Sequence, residues 1–294
     1  MKLFAPKYYG SFKCIADKCE HNCCTGWEID IDNATVKKYE SLNDGYGGII
    51  KSSISGCGTP HFILGENDRC PHLDGSGLCK IITNLGEEYL CDICREHPRF
   101  YNYTEVAEVG IGMSCPEAAR IILSSSDYAS LTEIGEIEKE SHVHFFDSVA
   151  ERRAVYEILA DENVRYPERL KKIYAKYSIE MRDDVFWLQL LESLEYLDKE
   201  HKKLFMTYSS VSRQDGNEAY LERFLAYLIF RHTTEALDIK DFSLRLGFCL
   251  FCESLLSSLI YSKKATTLKE ISYFAGIISE EVEYSEDNTF ALTY

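Results

Sequence analysis

From about Pro116 to the end of the chain, apolar residues recur at three- and four-residue steps. The segments EAARIILSSS, SVAERRAVYEILA, ERLKKIYAKY, DVFWLQLLESLEYLDKEHKKLF and EAYLERFLAYLIFRHTTEAL all carry this spacing. It gathers their apolar side chains on one face of an α-helix. Pro116 suits a first helical turn, where its missing N–H costs nothing, and Glu117 then faces the positive end of the helix dipole. Residues 1–120 behave differently. They are rich in Gly and Cys, hold turn signals such as LNDGYGG and LDGSG, and lack sustained periodicity. The pattern predicts a mainly α protein: a loop-rich cysteine-cluster N-terminal module over 1–120, then an all-α helical domain over 121–294. No internal repeat or low-complexity linker interrupts it.

Composition agrees with a folded chain. Of 294 residues, 45% are apolar, 13% are aromatic and only 6 are Pro, which excludes a disordered protein and allows one large core or two modest ones. The net charge of −16 argues against nucleic acid and suits a partner presenting lysines. MKLFAPKYYG has no apolar signal region. The longest apolar run, FCLFCESLLSSLI, contains Glu253 and falls short of the ~18 residues of a membrane span. The expectation is a cytoplasmic protein, where 12 cysteines point to metal ligation or redox work over disulfides.

Ten of the 12 cysteines lie at or before Cys115. Cys249 and Cys252 sit in an apolar helical pattern, where Cys packs as a small hydrophobe. Nine of the others fall into CIADKCEHNCC at 14–24, RCPHLDGSGLCKI with Cys70 and Cys79, LCDICREHPRF with Cys91 and Cys94, and SCPEAAR with Cys115. Thiolate is the ligand of structural zinc and of iron–sulfur clusters, commonly four to a site. Spacing leaves the metal open. Only Cys91–Cys94 forms a C-x2-C knuckle, while Cys70 and Cys115 each precede Pro, as does the last cysteine of bacterial ferredoxin runs. An extended Cys23–Cys24 pair directs its thiols to opposite faces, so two centres, or one with spare thiols, both fit. His21 and His72 are expected to hydrogen-bond ligand cysteines rather than replace them. Arg95 and Arg99 either offset thiolate charge, hold a carboxylate or form surface ion pairs. Trp27 is expected to pack the module.

In this order, FKCIADKCEHNCCTGWEIDID, RCPHLDGSGLCKI, CREHPRF and SCPEAARIIL resemble the cysteine-cluster proteins described as zinc- or iron-chelating. Within that group they are most similar to the flagellin lysine N-methylase family. The likeness runs over residues 8–124 and continues more loosely through RRAVYEILADENVRYPERLKKIYAKY, LIFRHTTEAL and ISEEVEYSEDN. The resemblance implies methyl transfer from S-adenosylmethionine to lysines of flagellin. It also implies an iron–sulfur cluster, of the 4Fe–4S type, with zinc as the alternative. The implied ligands are Cys14, Cys19, Cys23, Cys24, Cys70, Cys79, Cys94 and Cys115. Cys91 stands outside that pattern, as a structural thiol or a replacement ligand. Near the C-terminal acidic motif, where members carry Arg and His, this chain has Glu280 and Tyr284.

The residues themselves do not spell out a methyltransferase. No G-x-G-x-x-G follows a strand, and GYGG at 45–48 and GIGMS at 110–114 read as turns. The C-x3-C-x2-C triplet of radical enzymes is also missing. Methylating an amine requires a group to take its proton. Candidates are Glu28, Asp30, Asp32, Glu117, and Glu283 with Tyr284, each of which also fits a solvated or capping role. The alternative to an enzyme is a non-catalytic metal-binding or electron-carrying module with a helical partner-binding domain, or a zinc-stabilised interaction protein.

Overall fold

The cysteine-rich stretch folds without long helices. The computed structural model describes residues 1–294 except 20–21, 44, 57, 140–144 and 212–215. It divides the chain into two units, Lys13–Pro98 and Met1–Phe12 with Arg99–Tyr294. The first contains α1 (Asn33–Glu40), α2 (Gly45–Ser52), α3 (Lys80–Leu85) and α4 (Asp92–Glu96). Its extended segments meet in isolated bridges, Thr25 with Arg69, Asp30 with His61, Ile54 with Phe62 and Leu73 with Cys79. Ile29, Ile31, Tyr39, Ile50, Phe62, Leu73 and Ile81 form its core together with Cys70 and Cys91. Asp32 starts α1 by accepting the Thr35 N–H at 2.8 Å, a cap worth about 1 kcal/mol.

GYGG departs from the expected turn, whereas GIGMS ends in one, the Cys115 N–H donating to the Gly112 carbonyl at 3.3 Å. GYGG opens α2, because buried Ile50 and Tyr46, whose hydroxyl meets His72 Nδ1 at 3.0 Å, anchor that segment as a helix. In GIGMS, Gly110 and Ile111 end a strand. A Cβ at Gly110 would lie 2.9 Å from Phe230 Cε1 and closer still to the Phe100 ring, so glycine serves packing there.

The second unit adds a sheet that the apolar pattern does not announce. Its strands are β1 (Lys2–Pro6), β2 (Arg99–Tyr103), β3 (Ala107–Ile111) and β4 (Leu131–Glu136), in the order β2-β3-β1-β4. β1 runs parallel to β3, while β2–β3 and β1–β4 are antiparallel. Every residue of β3 is buried, so alternation cannot mark it.

Helices dominate the rest, and the protein is mainly α. They are α5 (Pro116–Ser124), α6 (Ser148–Leu159), α7 (Tyr166–Lys176), α8 (Asp184–Ser193), α9 (Lys199–Phe205), α10 (Glu218–His232), α11 (Ile239–Lys263), α12 (Leu268–Ile278) and α13 (Glu286–Thr293). A π-helical turn, Ser279–Glu283, joins the last two. Side-chain caps from Asp147, Asp183, Asp198, Asp238 and Ser285, and a capping box at Thr267, fix where six of them begin. α11 is long and apolar enough by composition to cross a membrane, yet 72% of its most apolar stretch is buried inside the structure. Cys249 and Cys252 are buried within it as packing residues.

One ion pair is embedded under the sheet. Arg152 on α6 donates to both oxygens of Glu108 on β3, at 2.5 and 2.7 Å, and to the Thr234 hydroxyl at 2.5 Å. Removing one partner strands a buried charge. Arg152→Met should cost about 3–5 kcal/mol in chemical denaturation. Adding Glu108→Leu should recover much of that loss.

Candidate metal centre

Three local turns bring distant cysteines into one core. The Cys70 N–H donates to the Cys24 carbonyl at 2.8 Å, and Gly26 N–H to the Asp68 carbonyl at 3.0 Å, which sets the first cysteine run beside Cys70. LDGSGL then folds back. Asp74 Oδ1 accepts the N–H of Ser76 at 2.8 Å and of Leu78 at 2.9 Å, and Gly77 takes a φ of +86° that side chains disfavour. This returns Cys79 to its bridge with Leu73. Finally Cys91 caps α4, and Cys94 follows three residues on, so the two share one face of that turn.

Cys24, Cys70, Cys79, Cys91 and Cys94 therefore belong to a single small core. The Cys24 thiol is pushed up by its hydrogen bond with Cys23, by burial, and by the nearby Cys23, Cys70 and Cys79 sulfurs. Burial pushes Cys70 up, against backbone N–H bonds from His72 and Leu73 to its sulfur. Cys94 is raised by the hydrogen bond it donates to Cys91, and Cys91 is lowered by accepting it and the Cys94 backbone N–H. Backbone N–H groups aimed at sulfur favour thiolate, the form that binds metal. Among the described residues none of the cysteines is in a disulfide.

Of the cysteines implied by the resemblance, Cys24, Cys70, Cys79 and Cys94 share this core, and Cys23 adjoins it. Cys14 and Cys19 flank the 3-10 turn Ala16–Lys18 in the same unit but are not members of the core. Cys115 caps α5 in the other unit. Cys91 is a full member, and its C-x2-C spacing was the local signal for it. His21 and Cys57 lie outside the described residues.

Among the described residues, the ligand-type atoms that converge within 4.8 Å of one another are those of Glu28, Asp30 and His61, and no thiol is among them.

The neighbouring groups have definite partners. His72 is buried, with Nδ1 on the Tyr46 hydroxyl at 3.0 Å and Nε2 on Ser53 Oγ at 2.8 Å. Burial lowers it to about 4, so it supports the core as a neutral ring. Trp27 packs edge-on to His97 at 5.5 Å. Arg95 pairs with Asp92 and Glu96 at the surface. Arg99 belongs to the second unit and donates to the Tyr9 hydroxyl at 2.9 Å.

The proton-acceptor candidates separate in the same way. Asp32 is occupied by the N–H groups of Thr35 and Asp92. Glu117 takes a bidentate bond from Arg120 at 2.6 and 2.8 Å. Glu28 and Asp30 are exposed, Glu28 lying 3.3 Å from His61 Nε2. Glu283 is buried against the Tyr227 hydroxyl at 2.9 Å, His232 Nε2 at 2.9 Å and Arg231 Nε at 3.4 Å. The Tyr284 ring lies 4.9 Å from the Arg231 guanidinium. Arg231 and His232 are some fifty residues away in sequence, so no local motif announces this network.

The chain is 29% identical over 143 residues to the protein named Lysine-N-methylase of Salmonella typhimurium, covering 44% of this chain and 34% of that protein. The Lysine-N-methylase of Salmonella choleraesuis matches to the same extent. The Flagellar biosynthetic protein FliU of Salmonella muenchen is 28% identical over 143 residues, covering 44% of this chain and 80% of that protein. The match thus spans about a third of the length of the lysine N-methylases. These relatives support the resemblance drawn from the cysteine motifs. No family model and no solved structure matches the chain.

The Glu283 network has a pH signature. Burial pushes its carboxyl up, but Arg231 and His232 outweigh that and hold it at about 2 rather than 4.5. A depressed carboxyl contributes stability above its unfolded pKa and loses it as pH falls through the folded one. Between pH 4.5 and 2, this group should forfeit roughly 3 kcal/mol. Glu283→Gln should be less stable at neutral pH and show a shallower decline across that window, as measured by urea denaturation.

Proposed function

We propose that the chain is a cytoplasmic protein lysine N-methyltransferase that transfers the methyl group of S-adenosylmethionine to lysines of flagellin or a similar protein. The similarity to proteins named Lysine-N-methylase and FliU carries this reading. A thiol core in the Lys13–Pro98 unit supports the accompanying cofactor, an iron–sulfur cluster. Cys24, Cys70, Cys79, Cys91 and Cys94 are the residues that would hold it, with Cys14, Cys19, Cys23 and Cys115 as the remaining implied thiols. Such a cluster supplies a fixed multi-thiolate node and a site for electron transfer.

The chain's own residues set the other requirements. A substrate lysine has an ordinary pKa of about 10.4 and must lose a proton before its nitrogen attacks a methyl group. Asp32, Glu117 and Glu283 are committed to a helix cap or to arginine, which leaves solvent-facing Glu28 and Asp30, together with Tyr284, of the sequence candidates. The net charge of −16 favours approach of a lysine-bearing surface.

The test uses the full chain reconstituted with iron and sulfide without oxygen, then incubated with flagellin and S-adenosylmethionine. A visible charge-transfer band, iron content, and flagellin mass rising in methyl-sized steps are the expected results. Cys70→Ser and Cys91→Ser should lower metal affinity at least about tenfold, whereas Cys249→Ser should retain it. Full iron content with no methyl transfer would favour the non-catalytic electron-carrying reading. A colourless protein binding zinc would favour a structural clamp.

A further inference from the structure

The Lys13–Pro98 unit carries a second set of metal-ligating side chains, apart from its thiols. In WEIDID the exposure alternates, with Ile29 and Ile31 buried and Glu28 and Asp30 exposed. An extended chain has this period of two, so both carboxylates stand on the same solvent-facing side. The segment opposite is residues 60–62. The Ile31 N–H donates to the Pro60 carbonyl at 2.7 Å, and the Phe62 N–H to the Ile29 carbonyl at 3.1 Å. Asp30 and His61 thereby face each other across an antiparallel bridge, in the kind of pair whose side chains lie closest. On its other side the segment is held by the Ser55 N–H, which donates to the His61 carbonyl at 2.9 Å. Paired backbone, not a free loop, positions all three side chains.

The histidine is set in a definite state. Its Nδ1 lies 2.8 Å from the Thr59 carbonyl oxygen, which can only accept, so Nδ1 donates there and Nε2 is the atom presented outward. A ring nitrogen bonded in this way to a carbonyl is the usual support of a metal-ligating histidine. Nε2 faces Glu28 Oε2 at 3.3 Å. Two acceptors that close need a positive charge between them, either a proton on the ring or a metal ion. One ligand atom each from Glu28, Asp30 and His61 already lies within 4.8 Å of the others. A single ion with bonds of about 2.0–2.2 Å gathers its donors about 3–4 Å apart, and exposed carboxylates reach that by changing rotamer. Among the described residues, no lysine or arginine pairs with either carboxylate. A pocket of about 520 Å³ opens beside Asp30, lined also by Asp32, Thr59 and Asp92 and by no basic residue.

We propose that His61 Nε2 and the carboxylates of Glu28 and Asp30 bind one divalent transition-metal ion of the manganese type, with its remaining positions open to water in the adjoining pocket. The two carboxylates suit a hard ion, the imidazole favours it over magnesium or calcium, and the absence of sulfur separates this site from the cysteine core. Three protein ligands with open positions are the arrangement of a reactive centre rather than a structural one. Glu28 and Asp30 would then serve as ligands and not as acceptors of a lysine proton. The site does not depend on the methyltransferase reading.

The probe is Mn²⁺ added to the full chain, because thiolates prefer softer ions. Saturable uptake of one ion per chain is expected, read as loss of the free-ion electron paramagnetic resonance signal. Pulsed resonance of the bound ion should show coupling to one imidazole nitrogen. His61→Gln should remove that coupling, and His61→Gln and Asp30→Asn should each weaken uptake about tenfold or more. Asp92→Asn removes the same charge from the rim of the same pocket without removing a ligand, and should leave uptake nearly unchanged. No saturable uptake would mean that His61 and Glu28 form an ion pair only, and would overturn the proposal. So would a nitrogen coupling that persists in His61→Gln, or an equal loss in Asp92→Asn, the mark of diffuse attraction.

Discussion

Cys24, Cys70, Cys79, Cys91 and Cys94 occupy one small core, and the sulfurs there act on one another. Burial and neighbouring sulfurs raise Cys24, Cys70 and Cys94, so several thiolates cannot coexist there without compensating positive charge. Around these cysteines pack Ile29, Ile31, Tyr39, Ile50, Phe62, Leu73 and Ile81, carried on short elements of the unit. Its α-helices are 5 to 8 residues long, below the ~12 residues at which an isolated helix becomes even marginally stable. Among the described residues, its extended segments meet in isolated bridges. A cation held by thiolates from separate loops would relieve the repulsion and close those loops together, which ties metal affinity to folding. The same constraint explains the N–H groups aimed at Cys70 and Cys91, and the neutral, doubly bonded His72 beside them.

The helical unit handles buried charge in the opposite way, by pairing within the polypeptide. Glu108 is matched by Arg152 and Glu283 by Arg231, while His232, which burial holds below its ordinary value, hydrogen-bonds to Glu283. Glu281 accepts the Leu197 and Asp198 N–H groups and meets His201 Nδ1 at 2.6 Å. Two residues apart on a helical turn, Glu281 and Glu283 point in nearly opposite directions. The π-helical turn Ser279–Glu283 thereby ties the start of α9 on one side and α10 on the other. Each carboxylate is strongly committed, so this network reads as architecture.

The helices were legible because their apolar residues keep a helical period even where most of the helix is buried. β3 was not, because burial on both faces removes alternation and its one charged residue, Glu108, is neutralised by Arg152, 44 residues away. Cysteine density announced a thiol site, and C-x2-C marked Cys91. Which thiols share a core depends on the Asp74 turn and the Cys24–Cys70 backbone bond, contacts that spacing alone does not encode. GYGG misled for a related reason. Glycine permits a turn, but Tyr46 and Ile50 supply tertiary contacts that hold those residues helical.

Arg99 connects these two ways of building a core. The cysteine unit is inserted between β1 and β2, leaving after Phe12 and returning at Arg99. There the Arg99 side chain donates to the Tyr9 hydroxyl at 2.9 Å, and its guanidinium lies 5.9 Å from the Tyr9 ring centre and 5.8 Å from that of Phe12. Both crossings of the chain are thus held by one side chain. Insertions with adjacent ends are well tolerated, and the entropy of closing a loop grows only slowly with its length. Pairing of β1 with β3 therefore does not require the inserted residues to be rigid. Arg99 acts here as the clasp of the insertion, a structural role that its place in the motif CREHPRF did not disclose.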